Sequence, residues 1–190
     1  MDMASEQMLA VSKDKAWNAL NDPEVLKVSI PGCDSIEKIG ENEYEVALTA
    51  AVGPVKARFK GKMRLVDIVP PDSYAIQFEG QGGAAGHGKG SAKVRLEAAG
   101  DDETKLIYSA SAQVGGKIAQ IGSRLVDMAA QKMANEFFSA FNAELTRRYP
   151  SEAAGTEPAS GAEPEGSESG IKRTLNWLKG SGKGKDVPGA

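Results

Sequence analysis

Residues 55–65, VKARFKGKMRL, alternate without a break. Val55, Ala57, Phe59, Gly61, Met63 and Leu65 fall on one side of an extended chain, and Lys56, Arg58, Lys60, Lys62 and Arg64 on the other. A period of two places one row in a core and the other in water, which is the geometry of a strand in a one-sided antiparallel sheet. YEVALTA (44–50), SYAIQF (73–78), AKVRLEA (92–98) and KLIYSASA (105–112) repeat the pattern. Turn signals separate these segments: IGEN, VGP, VPPDS and AAGDDE. Strands that follow one another through short turns predict a single antiparallel meander from Asp34 to Gln113.

Helices are expected at both ends of the meander. A short strand, EQMLAV (6–11), leads to Ser12, a suitable N-cap for a helix over KDKAWNAL (13–20). A second short helix enters at Pro23 and ends at SIPGC. After VGG (114–116) the spacing predicts one long helix running from Lys117 to Tyr149 and stopped by Pro150. Its inner stripe holds Ile118, Leu125, Val126, Met133 and Phe137, with small residues Gly122, Ala129 and Ala140 along the middle. Small residues there allow either close contact with the sheet or a space beneath the helix, and the two can occur at different heights. The fold class is therefore α+β, an antiparallel sheet gripping a long C-terminal helix in a START-like helix-grip arrangement.

The six glycines of GQGGAAGHGKG (80–90) invite comparison with a phosphate-binding loop. From Gly83 the spacing to Gly88 and Lys89 fits, but Gly90 stands where Ser or Thr must ligand magnesium. The next residues, SAKVRLEA (91–98), alternate as a strand, whereas the motif needs a helix N-terminus. The run reads instead as glycine within and between two strands, at a bend and at the rim of a pocket.

Composition divides the 190 residues into three parts. Residues 1–149 read as a globular domain. Residues 150–169 hold five Glu and no Lys or Arg, with almost nothing apolar, and are expected to form a disordered acidic linker. Residues 170–190 carry five Lys or Arg and a short apolar group. Ile171, Leu175 and Leu178 fall at i, i+4 and i+7 with Trp177 beside them, flanked by Lys172, Arg173 and Lys179. Such a segment suits the surface of an anionic membrane, a docking site on a partner enzyme, or a solvated tail. The net charge of −3 averages over these parts and says little about partners. No run approaches the ~18 apolar residues of a spanning helix, and the first residues lack a signal pattern, so a cytoplasmic location is expected.

Candidate chemistry is sparse. Cys33 is the only cysteine and His87 the only histidine, which leaves no cysteine cluster and no histidine pair for a metal. Cys33 reads as a small packed side chain after a turn set by Pro31 and Gly32. Glu136 returns to the helix's apolar stripe and is either wet at a pocket mouth or buried against a partner. Glu43 and Glu45 can pair across to part of the basic row, whose remainder could meet an acidic protein or anionic lipid. Aromatic residues do not interleave with these charges, so nucleic acid is not expected.

LNDPEVLKVSIPGCDSIEKIGENEYE, VGPVKARFKGKMRL, GGAAGHGKGSAKVRL and AQVGGKIAQIGSRLVD together resemble the carbon monoxide dehydrogenase G-subunit family, a branch of the START-like superfamily. The resemblance covers roughly residues 1–148. It implies a non-catalytic accessory protein of a molybdenum hydroxylase of the carbon monoxide dehydrogenase type, bringing that enzyme to the inner face of the cytoplasmic membrane. It also implies a hydrophobic cavity for a ligand such as a quinone or lipid, with no bound cofactor or metal of its own. Phe59, Met63 and Phe78 on the strands are the expected lining, together with Ile118, Ile121, Gly122, Leu125, Ala129, Met133 and Phe137 on the helix. The membrane-binding residues would be Ile171, Lys172, Arg173, Leu175, Trp177, Leu178 and Lys179. A small START-like enzyme, a cyclase or lyase acting on an apolar substrate, is the competing class. It would need several convergent titratable groups, and the chain offers only Glu136, Tyr74 and Tyr108 as scattered candidates.

Overall fold

The computed structural model describes residues 1–150, so the linker and tail expected at 150–169 and 170–190, with Ile171 to Lys179, lie outside it beyond Pro150. The chain runs β1 (Asp2–Leu9), α1 (Lys13–Leu20), α2 (Pro23–Ser29), β2 (Cys33–Gly40), β3 (Glu43–Val52), β4 (Val55–Val69), β5 (Ser73–Gln81), β6 (His87–Gly100), β7 (Glu103–Gly115), α3 (Lys117–Gln120) and α4 (Ser123–Arg148). The strands form one antiparallel sheet in the order β1-β7-β6-β5-β4-β3-β2. Strands β2 to β7 are the expected meander, and β1 closes the far edge.

Local chemistry accounts for most boundaries. Asp22 caps α2 by accepting from the Glu24 N–H at 2.8 Å, and Pro23 supplies a preset φ at the first helical position. Gly53, at φ +55, takes the first central position of the two-residue turn that pairs Val52 with Val55. Strand β1 begins four residues earlier than expected and ends two earlier. Its limits are set by pairing, from Asp2 opposite Ser111 to Leu9 opposite Thr104. Beyond it Thr104 donates its buried hydroxyl to the Val11 carbonyl at 2.8 Å, which fixes the crossing into α1.

One expectation fails at the last helix, which is not continuous. Gly122 sits at φ +98, outside helical space, so a single turn (α3) is separated from the 26 residues of α4. The glycine ends one element and enters the next.

Helix α4 meets the sheet unevenly. In its C-terminal half Phe138, Phe141 and Leu145 are buried, Phe141 and Leu145 completely, among Leu9, Val11, Leu20, Leu96 and Leu106. Phe141 stacks on Phe137 with ring centroids 5.6 Å apart, and Phe138 lies 5.2 Å from Tyr108. This end is clamped to α2: Arg148 donates to Asp22 at 2.7 Å and to Glu144 at 2.7 Å. Hydrogen bonds from Arg147 and Arg148 hold the Glu144 carboxyl down at about 2. In the N-terminal half only Val126 is buried, and Ala129, Ala130 and Met133 are half-covered. Close contact thus occupies one height of the helix and open space the other.

Candidate functional site

The space beneath the first half of α4 is a cavity of about 370 Å³. Its floor is unusual because the side chains that should fill it are missing. Strand register brings Val46, Gly61, Gly80, Gly88 and Val114 into one row across β3 to β7. Alternation turns all five positions toward the helix, so three adjacent strands present bare backbone at the same height. One rung further in, the row is Tyr44, Met63, Phe78, Gly90 and Ala112. Here the Phe78 ring covers Gly90, where a Cβ would stand 2.7 Å from its Cζ. Phe59 covers Gly82 in the same manner, at 2.4 Å. Aromatic rings laid over glycine restore packing around the floor, and the floor itself stays open.

Of the lining expected from sequence, Phe59, Met63, Phe78, Ile118, Ala129 and Met133 do face this cavity. Ile121, Gly122 and Leu125 do not. The break at Gly122 takes them off the stripe that a continuous helix would have given, and Gly122 is exposed with nothing within 4 Å of where its Cβ would be. Leu125 is 41% exposed and reaches over Gly53, as Ile121 does, which with the 60%-exposed Met128 makes an apolar lip beside the β3–β4 turn. Phe137 lines a second, inner void of about 200 Å³. Val126, expected on the helix's inner stripe, also lines this wall, as do Val46, Leu48, Ala50, Val52, Val114 and Ala130, which the sequence did not single out. For the strand positions the available signal is the alternation of β3 and the end of β7.

Charge lies on the other face of the sheet. Lys62, Glu79 and His87 come to the cavity's edge, but alternation sends their side chains outward, and all three are exposed. The His87 ring rests against Gly115, whose Cβ would be 2.4 Å from its Cε1. Arg64 pairs with Glu43 at 3.3 Å and Arg58 with Asp34 at 3.1 Å, and Lys62 faces Glu45 and Glu79 in register. The basic row is thus interleaved with acids, as a solvated sheet face requires. Glu136 is on the wet side of α4, 3.7 Å from Lys132.

The remaining titratable groups are phenols and one thiol. Burial pushes Tyr44, Tyr74 and Tyr108 upward, so they stay neutral at ordinary pH. Burial likewise raises the half-buried Cys33 thiol, away from the thiolate form that a nucleophile needs. Among the described residues no three His, Cys, Asp or Glu side chains gather to hold a metal ion, and no helix is long and apolar enough to cross a membrane. The arrangement can exclude water and receive an apolar molecule.

Comparison with known proteins agrees with this geometry. The family model for the G subunit of carbon monoxide dehydrogenase (CoxG) matches residues 6–146. A conserved protein of Geobacillus kaustophilus is 31% identical, with 77% of this chain and 96% of that one covered at a TM-score of 0.73. A START superfamily protein of Mycobacterium smegmatis is 12% identical, covering 77% and 98% at a TM-score of 0.60. The ZhuI aromatase/cyclase of Streptomyces sp. R1128 is 16% identical, covering 82% and 98% at a TM-score of 0.59. The last two likenesses are of fold alone. No curated protein matches the chain.

Proposed function

The chain belongs to the carbon monoxide dehydrogenase G-subunit (CoxG) family, and from that membership we propose a non-catalytic accessory protein that carries an apolar ligand for a molybdenum hydroxylase of the carbon monoxide dehydrogenase type. The observation that carries this reading is the row Gly61, Gly80 and Gly88, which leaves an apolar cavity under α4 with no ionisable side chain turned into it. An enzyme of this size would aim titratable groups at its substrate. Here charge is kept to the far face of the sheet, and burial moves the phenols still further from ionisation. A quinone or a lipid has the chemistry the cavity would accept. The exposed lip of Leu125 and Met128 gives such a molecule an apolar route in from a membrane or partner surface.

The second half of the reading is a tether. Residues 170–190 bring Trp177 and the apolar positions Ile171, Leu175 and Leu178 to an anionic bilayer at the inner face of the cytoplasmic membrane. Lys172, Arg173 and Lys179 each add about 1 kcal/mol of attraction near such a surface. The acidic stretch before them, repelled by the same lipid, keeps the domain off the bilayer. Flotation tests this half. The full-length chain is expected to rise with phosphatidylserine-containing vesicles at low salt, and a chain ending at Pro150 to stay behind. Trp177→Ala and raised salt both weaken flotation. Equal flotation of the truncated chain contradicts the tether and moves attention to the basic sheet face.

A further inference from the structure

Two voids lie end to end along the inner face of the sheet, the outer of about 370 Å³ and the inner of about 200 Å³. Their walls have only Ile30 and Met63 in common. Ile30 follows α2, Met63 stands one rung inward from Gly61 on β4, and both border both voids.

We infer that Met63 is a movable partition, and that the inner void is a second compartment for the end of an unbranched hydrocarbon chain whose bulk occupies the outer one. The inference rests on the reading that the protein carries an apolar ligand, and it adds which shape of ligand is accepted.

Flexibility singles out Met63. It is half-buried and unbranched, with three rotatable bonds, whereas Ile30 is stiff at χ1. Its neighbours in the same row are fixed: Tyr44 is 3% exposed, and Phe78 lies against Gly90. A swing of Met63 alone therefore joins the two spaces, through an opening one side chain wide. A slender alkyl chain passes such an opening, and a fused ring does not.

The chemistry of the inner wall agrees. Leu65, Tyr74, Ile76, Tyr108, Phe137 and Phe138 surround it, and no charged residue does. An apolar void of this size stays dry, and leaving it empty costs stability. The adjoining stretch of α4, around Phe141 and Leu145, is fully packed, so the void is not a general looseness of this core. The apolar end of a ligand fits here, and its polar end remains toward the mouth.

The test uses the full-length chain and a homologous series of straight-chain fatty acids that displace bound 1-anilinonaphthalene-8-sulfonate. For the wild type, affinity should climb about fourfold per added methylene and keep climbing after the outer compartment is full. With Met63→Phe the climb should stop several methylenes earlier than in the wild type, whatever the affinity of the shortest acids. Ala92→Leu fills the inner compartment from another strand and should stop it at the same length, which decides the matter if Met63→Phe does not fold. Binding that climbs equally far in wild type and both folded variants overturns the partition and leaves the carrier reading standing. Failure of every acid to displace the probe overturns both.

Discussion

A chain carrying Gly88→Leu should fold like the wild type and lose most of its affinity for apolar ligands. A Cβ at position 88 would meet only the Gln113 carbonyl and Val114 Cγ1, both at an ordinary 3.7 Å, and the backbone there is not left-handed. The strand therefore accepts a side chain, and replacing glycine also removes freedom from the unfolded chain. The leucine projects from the bare row into the outer void and takes the place of about four ligand carbons. At about 0.8 kcal/mol for each methylene no longer buried, the loss is about 3 kcal/mol, or roughly a hundredfold in dissociation constant. Displacement titration with a fluorescent apolar probe reads the affinity, and a thermal melt on the same sample reads the fold. Unchanged affinity in a folded Gly88→Leu chain places the ligand elsewhere.

Gly61→Val, a neighbour in the same row, should behave in the opposite way. Its Cβ would stand 2.3 Å from the Glu79 carbonyl oxygen and 3.1 Å from the Gly80 Cα, both backbone atoms of the adjacent strand. No rotamer relieves that contact, so β4 and β5 must move apart. Overpacking of this kind costs about 2–3 kcal/mol, enough to lower a urea midpoint visibly while leaving the slope of the transition unchanged. The two variants separate the two jobs of the row: Gly61 lets strands approach, and Gly88 keeps a floor empty. Equal stability of Gly61→Val and wild type would contradict the close approach.

How much of this was legible in the sequence depends on the range of the interaction involved. The alternation of residues 55–65 is local, and it placed Phe59 and Met63 on the inner face and the lysines outside, as found. The limits of α1 and the Pro23 entry of α2 are also local and agree with the structure. The helix break was not legible, because an isolated glycine inside an apolar period costs a helix only about 1 kcal/mol and leaves the period intact. What decided it was the backbone angle of Gly122, and the positions of Ile121 and Leu125 changed with it. The glycine row was half visible. Gly61 and the run from Gly80 to Gly90 each stood out, but only strand register shows that Gly61, Gly80 and Gly88 are side by side. Register depends on turn lengths and bulges, including the shift between Val66 and Val69 where Asp67 lies at φ +51, and a pattern of period two does not report it.

The carrier reading requires that the space under α4 hold one apolar molecule. Native mass spectrometry of the full-length chain, incubated with a bacterial lipid extract and desalted, counts that molecule. One added mass per chain is expected, recoverable by organic extraction as an apolar compound, and absent from Gly88→Leu treated identically. A wild-type chain that emerges at its bare mass, or a Gly88→Leu chain that retains the same adduct, would contradict the carrier reading.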